Sequence, residues 1–188
     1  GIGYFQTHVL IAVICAVTAA ISFFFLKDSP ATIGREVTPL MPKIVQAFKV
    51  KTTWQLCFLY AVVFGGFVAF SNYLPTYLSN IYNFNANDAG MRAAGFAVAA
   101  VIARPFGGVL ADKFGPKIIT LISLGGVVIL AVITAFQPDA EHVYGAVFIL
   151  MAALLGLGHG SVFGWLGRVP DPKNVGAVSG VIAATGAL

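Results

Sequence analysis

One residue is expensive where it stands. Between Ala93 and Ala111 every residue except Arg104 is apolar or small. If this run crosses a membrane, the guanidinium lies about 10 Å inside its nearer end, where a charge is tolerated only facing protein or water. At about 100° per residue, the face that carries Arg104 also carries Ala93, Ala97, Ala100, Gly108 and Ala111. All are small, whereas a lipid-facing stripe would be Leu, Ile, Val and Phe, so Arg104 is expected to point inward. A permanently protonated planar fork suits a small anion that accepts two hydrogen bonds. The alternative is a structural pairing with a buried acid or with helix carbonyls; no Asp or Glu lies inside any apolar run of the chain.

Three further groups could do chemistry. Tyr60, Phe64, Phe67, Ser71 and Leu74 share one helical face, an aromatic stripe that is either core or the wall of a ligand site. His159 sits at depth within the run GLGHGS, among Gly156, Gly158 and Gly160. The glycines permit close helix approach, and the His is either a packing residue or a proton site. The run lacks the preceding strand and the spacing of a dinucleotide fingerprint. Behind Arg104 comes GGVLADKFGPK, which predicts a Gly-rich exit from the helix and a short turn carrying Asp112, Lys113 and Lys117. Arg92, at the other end of the same run, is expected to snorkel to headgroups. Neither Cys15 nor Cys57 has metal-ligand spacing, and no nucleophile elbow, HExxH, phosphate-binding loop or paired intramembrane carboxylates occur. These absences argue against an enzyme and against a cofactor or metal.

The elements that position these groups follow from composition. Apolar residues make up 59% of the 188 and charged residues 10%, against about a quarter charged in a soluble domain; mean hydropathy is +0.90. This is an all-α integral membrane protein. The net charge is +4, but nine of eleven Lys and Arg fall in short loops between apolar runs, which marks topology and not a nucleic-acid face. Complete spans are predicted at 8–26, 54–78, 93–111, 118–136 and 145–166, each near the ~20 residues a bilayer requires. A sixth begins at Gly176. Gly65 and Gly66 permit close approach or bending in the second span, and Asn72 with Pro75 predicts a weakened outer end. Residues 39–50 predict a short helix along the membrane surface, with Ile44, Val45 and Phe48 apolar and the lysines facing water. Basic and non-basic loops alternate strictly, which places 27–53, 112–117 and 167–175 in the cytoplasm. The chain starts without Met and stops inside an apolar run, as expected of an internal fragment.

The segment Gly108 to Lys117, GVLADKFGPK, resembles the loop motif that joins paired helices in the major facilitator superfamily, with Gly108, Asp112, Lys113, Gly115 and Lys117 on its pattern. Together with YAVVFGGFVAFSNYLPTYL, AGMRAAGFAVAAVIARPFGG, GLGHGSVF and GAVSGVIAATGAL, it makes the chain similar to the nitrate/nitrite porter family of that superfamily. The resemblance implies a partial bundle running from the sixth helix to the start of the eleventh of twelve. Residues 1–26 would then be the last helix of the N-terminal half, 27–53 the cytoplasmic loop between halves, and 54–188 the truncated C-terminal half. It further implies a multi-pass transporter of the cytoplasmic membrane, with nitrate or nitrite held between halves by one Arg from each and stacked between aromatic rings. Here Arg104, Phe64 and Tyr60 match those positions. The Gly-rich signature of the eleventh helix starts at Gly176 and includes Gly180 and Gly186, departing from the pattern at Ala183 and Ala187. His159 stands where relatives often carry a small polar residue. Partners on this view are nitrate or nitrite, protons as a candidate coupling ion, membrane lipid and the absent N-terminal half. A porter for another small anion is the alternative, with a membrane sensor or pore subunit behind it.

Overall fold

The computed structural model describes residues 3–26, 39–136, 141–168 and 175–186. The predicted loop segments 27–38, 137–140 and 169–174, and Ala187, lie outside the described residues. The chain divides into two compact units, 1–38 and 39–188.

The first unit holds α1 (Tyr4–Phe25), a 22-residue helix opened by Gly3, whose N–H is capped by the Gln6 side chain at 3.2 Å. The second holds α2 (Leu40–Lys49), α3 (Lys51–Tyr82), α4 (Ala86–Phe114), α5 (Pro116–Ala135), α6 (Glu141–Leu166) and α7 (Val175–Gly186). Among the described residues five helices, α1 and α3 to α6, are long and apolar enough to cross a membrane. The all-α membrane bundle expected from composition is the fold found.

The connections are chemically specified. Asn83 ends α3 in the left-handed region at φ 56°, a conformation Asn tolerates better than most residues. Two residues on, the Asn85 side chain accepts the Asp88 N–H at 2.9 Å and donates to the Asp88 carboxylate at 2.8 Å, capping α4. The other end of α4 corrects the sequence reading. The helix does not leave at its glycines but runs on to Phe114, so Asp112 and Lys113 ride its last turn, Lys117 belongs to α5, and Gly115 alone makes the turn. Gly115 adopts φ 95° and ψ 135° while donating to the Ala111 carbonyl at 2.9 Å, and Pro116 follows at the first position of α5. Because only Gly enters that region cheaply, Gly115→Ala is expected to cost about 1–3 kcal/mol, seen as a lower thermal unfolding midpoint in detergent.

Helix α3 also differs from expectation. It continues through Asn72 and Pro75 to Tyr82. Proline forfeits one bond to the Ser71 carbonyl, yet Leu74 and Leu78 on either side are buried in the core, and that packing holds the helix together. Nor do Gly65 and Gly66 bring another backbone close: a Cβ on Gly65 would meet nothing, and one on Gly66 only the Leu155 side chain at 3.5 Å.

The close approach is between α4 and α6, the most extensive helix pair. Cβ atoms on Gly156 and Gly160 would collide with the carbonyl oxygens of Ala100 and Arg104, and one on Gly107 with the backbone of Leu157. Gly158 faces the other way, towards Ser123 of α5 and Val63 of α3. On that side a polar chain is satisfied inside the bundle. Thr120 Oγ1 lies 2.8 Å from Ser161 Oγ, which itself donates to the Gly158 carbonyl at 3.0 Å. With the Ser161 proton committed, Thr120 is the donor between them.

Two clusters form the core. One joins α3, α4 and α6 around Phe96, Met151 and Leu155. The other joins α2, α3, α6 and α7 around Leu56, Tyr60, Val162, Val178 and Ile182. Helix α2 is therefore docked on the bundle through Ala47 and Ile44.

Candidate functional site

Four of the residues singled out in the sequence converge. Arg104 on α4 is half-buried, and its Cζ lies 5.1 Å from the centroid of the Phe67 ring on α3, a cation over an aromatic face. Its Nε is buried without a hydrogen-bond partner, and among the described residues Arg104 makes no ion pair. The small-residue face behaves as expected: Ala93, Ala100 and Ala111 are buried.

From Phe67 an aromatic wall extends along α3. Phe67 and Phe64 have ring centroids 6.5 Å apart, and Phe64 and Tyr60 stack with centroids at 5.4 Å and planes 9° apart. The spacing of 60, 64 and 67 that suggested a stripe is realised as one continuous surface. His159 of α6 closes it, edge-on to Tyr60 at 5.0 Å and to Phe64 at 5.8 Å. The Tyr60 hydroxyl and His159 Nε2 are 3.4 Å apart, at the long limit of a hydrogen bond. His159 Nδ1 is buried and has no partner.

Two neighbours complete the cluster. Phe163, one turn beyond His159, stacks on its ring at 5.6 Å and meets Tyr60 edge-on at 5.1 Å. Gly186 of α7 lies so close to the Tyr60 ring that a Cβ there would collide with it. Phe67 belonged to the stripe but was not singled out as a contact of the cation. Phe163 lay in the GLGHGSVF run, and its signal was the spacing of four from His159, which stacks two rings on one helix.

The remaining candidates lie elsewhere. Gly176 and Gly180 are exposed on α7, and a Cβ on either would meet nothing within 4 Å. A Cβ added at Gly108 would lie 3.9 Å from the Gly160 carbonyl oxygen, an ordinary contact. Asp112 and Lys113 are exposed at the end of α4, where Arg168 Nη2 approaches the Ala111 carbonyl at 3.5 Å and ties the end of α6 to it. Arg92 packs over the Phe84 ring at 4.3 Å, at the opposite end of α4 from that tie. No group of three or more His, Cys, Asp or Glu able to hold a metal occurs among the described residues.

The cluster is thus a fixed cation beside a wall of aromatic faces, inside a helix bundle, without an acid to neutralise it among the described residues. A guanidinium so placed has the chemistry to pair with a small anion that accepts hydrogen bonds.

Comparison with known proteins gives a family. The chain is 47% identical over 186 residues to a protein of Mycobacterium tuberculosis named "Probable nitrate/nitrite transporter NarK2", covering 99% of this chain and 47% of that protein. It is 34% identical over 149 residues to the "Nitrite extrusion protein" of Bacillus subtilis, covering 78% of this chain and 36% of that one. It is 31% identical over 158 residues to the "Probable nitrate/nitrite antiporter NarK1" of Thermus thermophilus, covering 72% of this chain and 34% of that one. The chain spans about half the length, or less, of these curated relatives. No solved structure matches it significantly. The sequence profile of the Major Facilitator Superfamily matches residues 2–188, and with five described helices of membrane-crossing length between residues 4 and 166, this multi-pass membrane chain belongs to the Major Facilitator Superfamily.

Proposed function

We propose that the full-length protein is a secondary active transporter that carries nitrate, nitrite or both across the cytoplasmic membrane by alternating access, and that Arg104 holds the anion. The observation that carries this is the Arg104 guanidinium, set over the Phe67 ring with a buried Nε that has no partner. An inward-facing cation with a donor to spare is costly in a bilayer unless a ligand uses it. The names of the relatives indicate which ligand.

Nitrate is planar, carries one delocalised charge and offers oxygens in pairs. Two of them can accept from adjacent guanidinium N–H groups in the bidentate manner that suits Arg. Its flat face can then lie against the rings of Phe64 and Tyr60, which are already parallel. His159 Nδ1, buried and without a partner, offers a further polar contact at the same wall. The chain's resemblance to the nitrate/nitrite porters implies a site between two halves, with this chain supplying one side of it. Rocking of the halves about that site exposes it alternately to either face of the membrane. The end of the bundle that carries Lys51, Lys113, Lys117 and Arg168 faces the cytoplasm on the positive-inside rule.

The test is isotope-labelled flux. Full-length protein in proteoliposomes is expected to move labelled nitrate or nitrite saturably, each competing with the other, while chloride and formate compete poorly. Transport of another small anion with no flux of either nitrogen oxyanion would overturn the assignment and leave a different porter of the same superfamily.

A further inference from the structure

Helix α2 carries three kinds of surface, and packing accounts for one. At about 100° per residue, Ala47 and Ile44 point into the bundle, against Val178, Val181 and Ile182 of α7 and Leu56 of α3. Next around the helix come Met41, Val45 and Phe48, all exposed. This apolar strip continues onto α3: the Phe48 and Trp54 rings lie 5.6 Å apart, the Trp54 indole donates to the Phe48 carbonyl at 2.9 Å, and exposed Phe58 lies one turn further. The third sector is polar, with half-buried Lys43 and exposed Lys49, and Lys51 joins it at the start of α3. No acid stands in the first turn of either helix, and residues 39–87 contain no Asp or Glu.

An exposed apolar strip beside lysines that no acid within residues 39–87 opposes, with a Trp at the boundary, has the form of a helix half-sunk in a charged leaflet. We propose that α2 is a binding site for anionic phospholipid: Met41, Val45, Phe48 and Trp54 enter the acyl boundary, and Lys43, Lys49 and Lys51 hold the headgroup phosphates. Zwitterionic lipid satisfies the strip but not the net charge of the lysines, which is why the occupant is anionic. The site has a route to the ring cluster. Ala47 is packed on α7, and the far end of α7, at Gly186, seats against Tyr60. Anionic headgroups therefore steady α7 against α3 from the membrane surface. The inference rests on the membrane-spanning fold and not on which anion is carried.

Lipid retention separates the two. Full-length protein is purified in mild detergent, exposed to equal amounts of phosphatidylglycerol and phosphatidylcholine, and examined by native mass spectrometry for bound lipid. Phosphatidylglycerol is expected to be retained several-fold over phosphatidylcholine, and its addition to raise the thermal unfolding midpoint. In a Lys43→Gln, Lys49→Gln, Lys51→Gln variant the preference falls to about one and the midpoint no longer responds, because the lysines are the groups that tell an anionic headgroup from a zwitterionic one. A Lys113→Gln, Lys117→Gln variant, which removes two charges from the same end of the bundle, keeps the preference. If the triple variant retains phosphatidylglycerol as well as the parent, or the parent shows no preference, α2 is not an anionic-lipid site. Nitrate flux does not enter either readout.

Discussion

Replacing Arg104 with Lys in the full-length protein is expected to weaken nitrate and nitrite transport by about 10- to 100-fold, although the positive charge is kept. The ammonium can still sit near the Phe67 face that the guanidinium occupies at 5.1 Å. It cannot present two coplanar N–H groups to one anion, so one charge-assisted hydrogen bond is lost, worth about 1.5–3 kcal/mol. That range converts to the fold-change given, by roughly 1.4 kcal/mol per decade. Arg104→Gln removes the charge as well and is expected to leave no measurable flux. Both variants should unfold within a few degrees of the parent, since Arg104 makes no ion pair with a described residue whose loss would strand a charge. Labelled nitrate and nitrite uptake at several concentrations, beside thermal unfolding of each variant, reads the two effects apart. Lys at the parent's apparent affinity would mean that the fork is not the anion's ligand.

The inward direction of Arg104 was legible because it depended on one helix alone. A face of Ala and Gly cannot be a lipid face, and Ala93, Ala100 and Ala111 are buried as that face required. The aromatic stripe of α3 was legible for the same reason, as a spacing. What the neighbouring helix contributes beyond His159 was not. Helix α6 is apolar nearly all round, so no pattern tells which side faces α3, and Phe163 went unremarked until its ring was found stacked on His159. Gly156 and Gly160 were rightly read as points of close approach, but the glycines of α4 misled. Gly107 and Gly108 were taken for a helix exit, since Gly costs about 1 kcal/mol in a helix interior. In a membrane bundle the same residue is what lets two backbones meet, and the gain in contact along α4 and α6 outweighs the local cost. Pro75 misled likewise: its missing N–H was visible in the sequence, but the burial of Leu74 and Leu78 that compensates for it was not.

The α4 and α6 junction should therefore be the least tolerant part of the bundle, and Gly160→Ala its sharpest test. A methyl group at 160 would lie inside the Arg104 carbonyl oxygen and 2.8 Å from the Gly108 nitrogen. Backbone cannot swing aside as a flexible side chain can, so the helices must part or slide. Overpacking of this kind costs about 1–3 kcal/mol. The carbonyl that is pushed belongs to the residue whose side chain forms the cation of the site. A displacement of about 1 Å there degrades a geometry that depends on two aligned hydrogen bonds, so flux should fall together with stability. Gly125→Ala supplies the contrast, because a Cβ at 125 meets nothing within 4 Å and Gly→Ala at an unstrained helical site stabilises by about 0.4–1 kcal/mol. The expected pattern is a lowered unfolding midpoint and reduced nitrate flux for Gly160→Ala, with Gly125→Ala at or above the parent in both. Equal tolerance at the two positions would mean that α4 and α6 do not meet backbone to backbone at Arg104, and the seat of the cation would have to be redrawn.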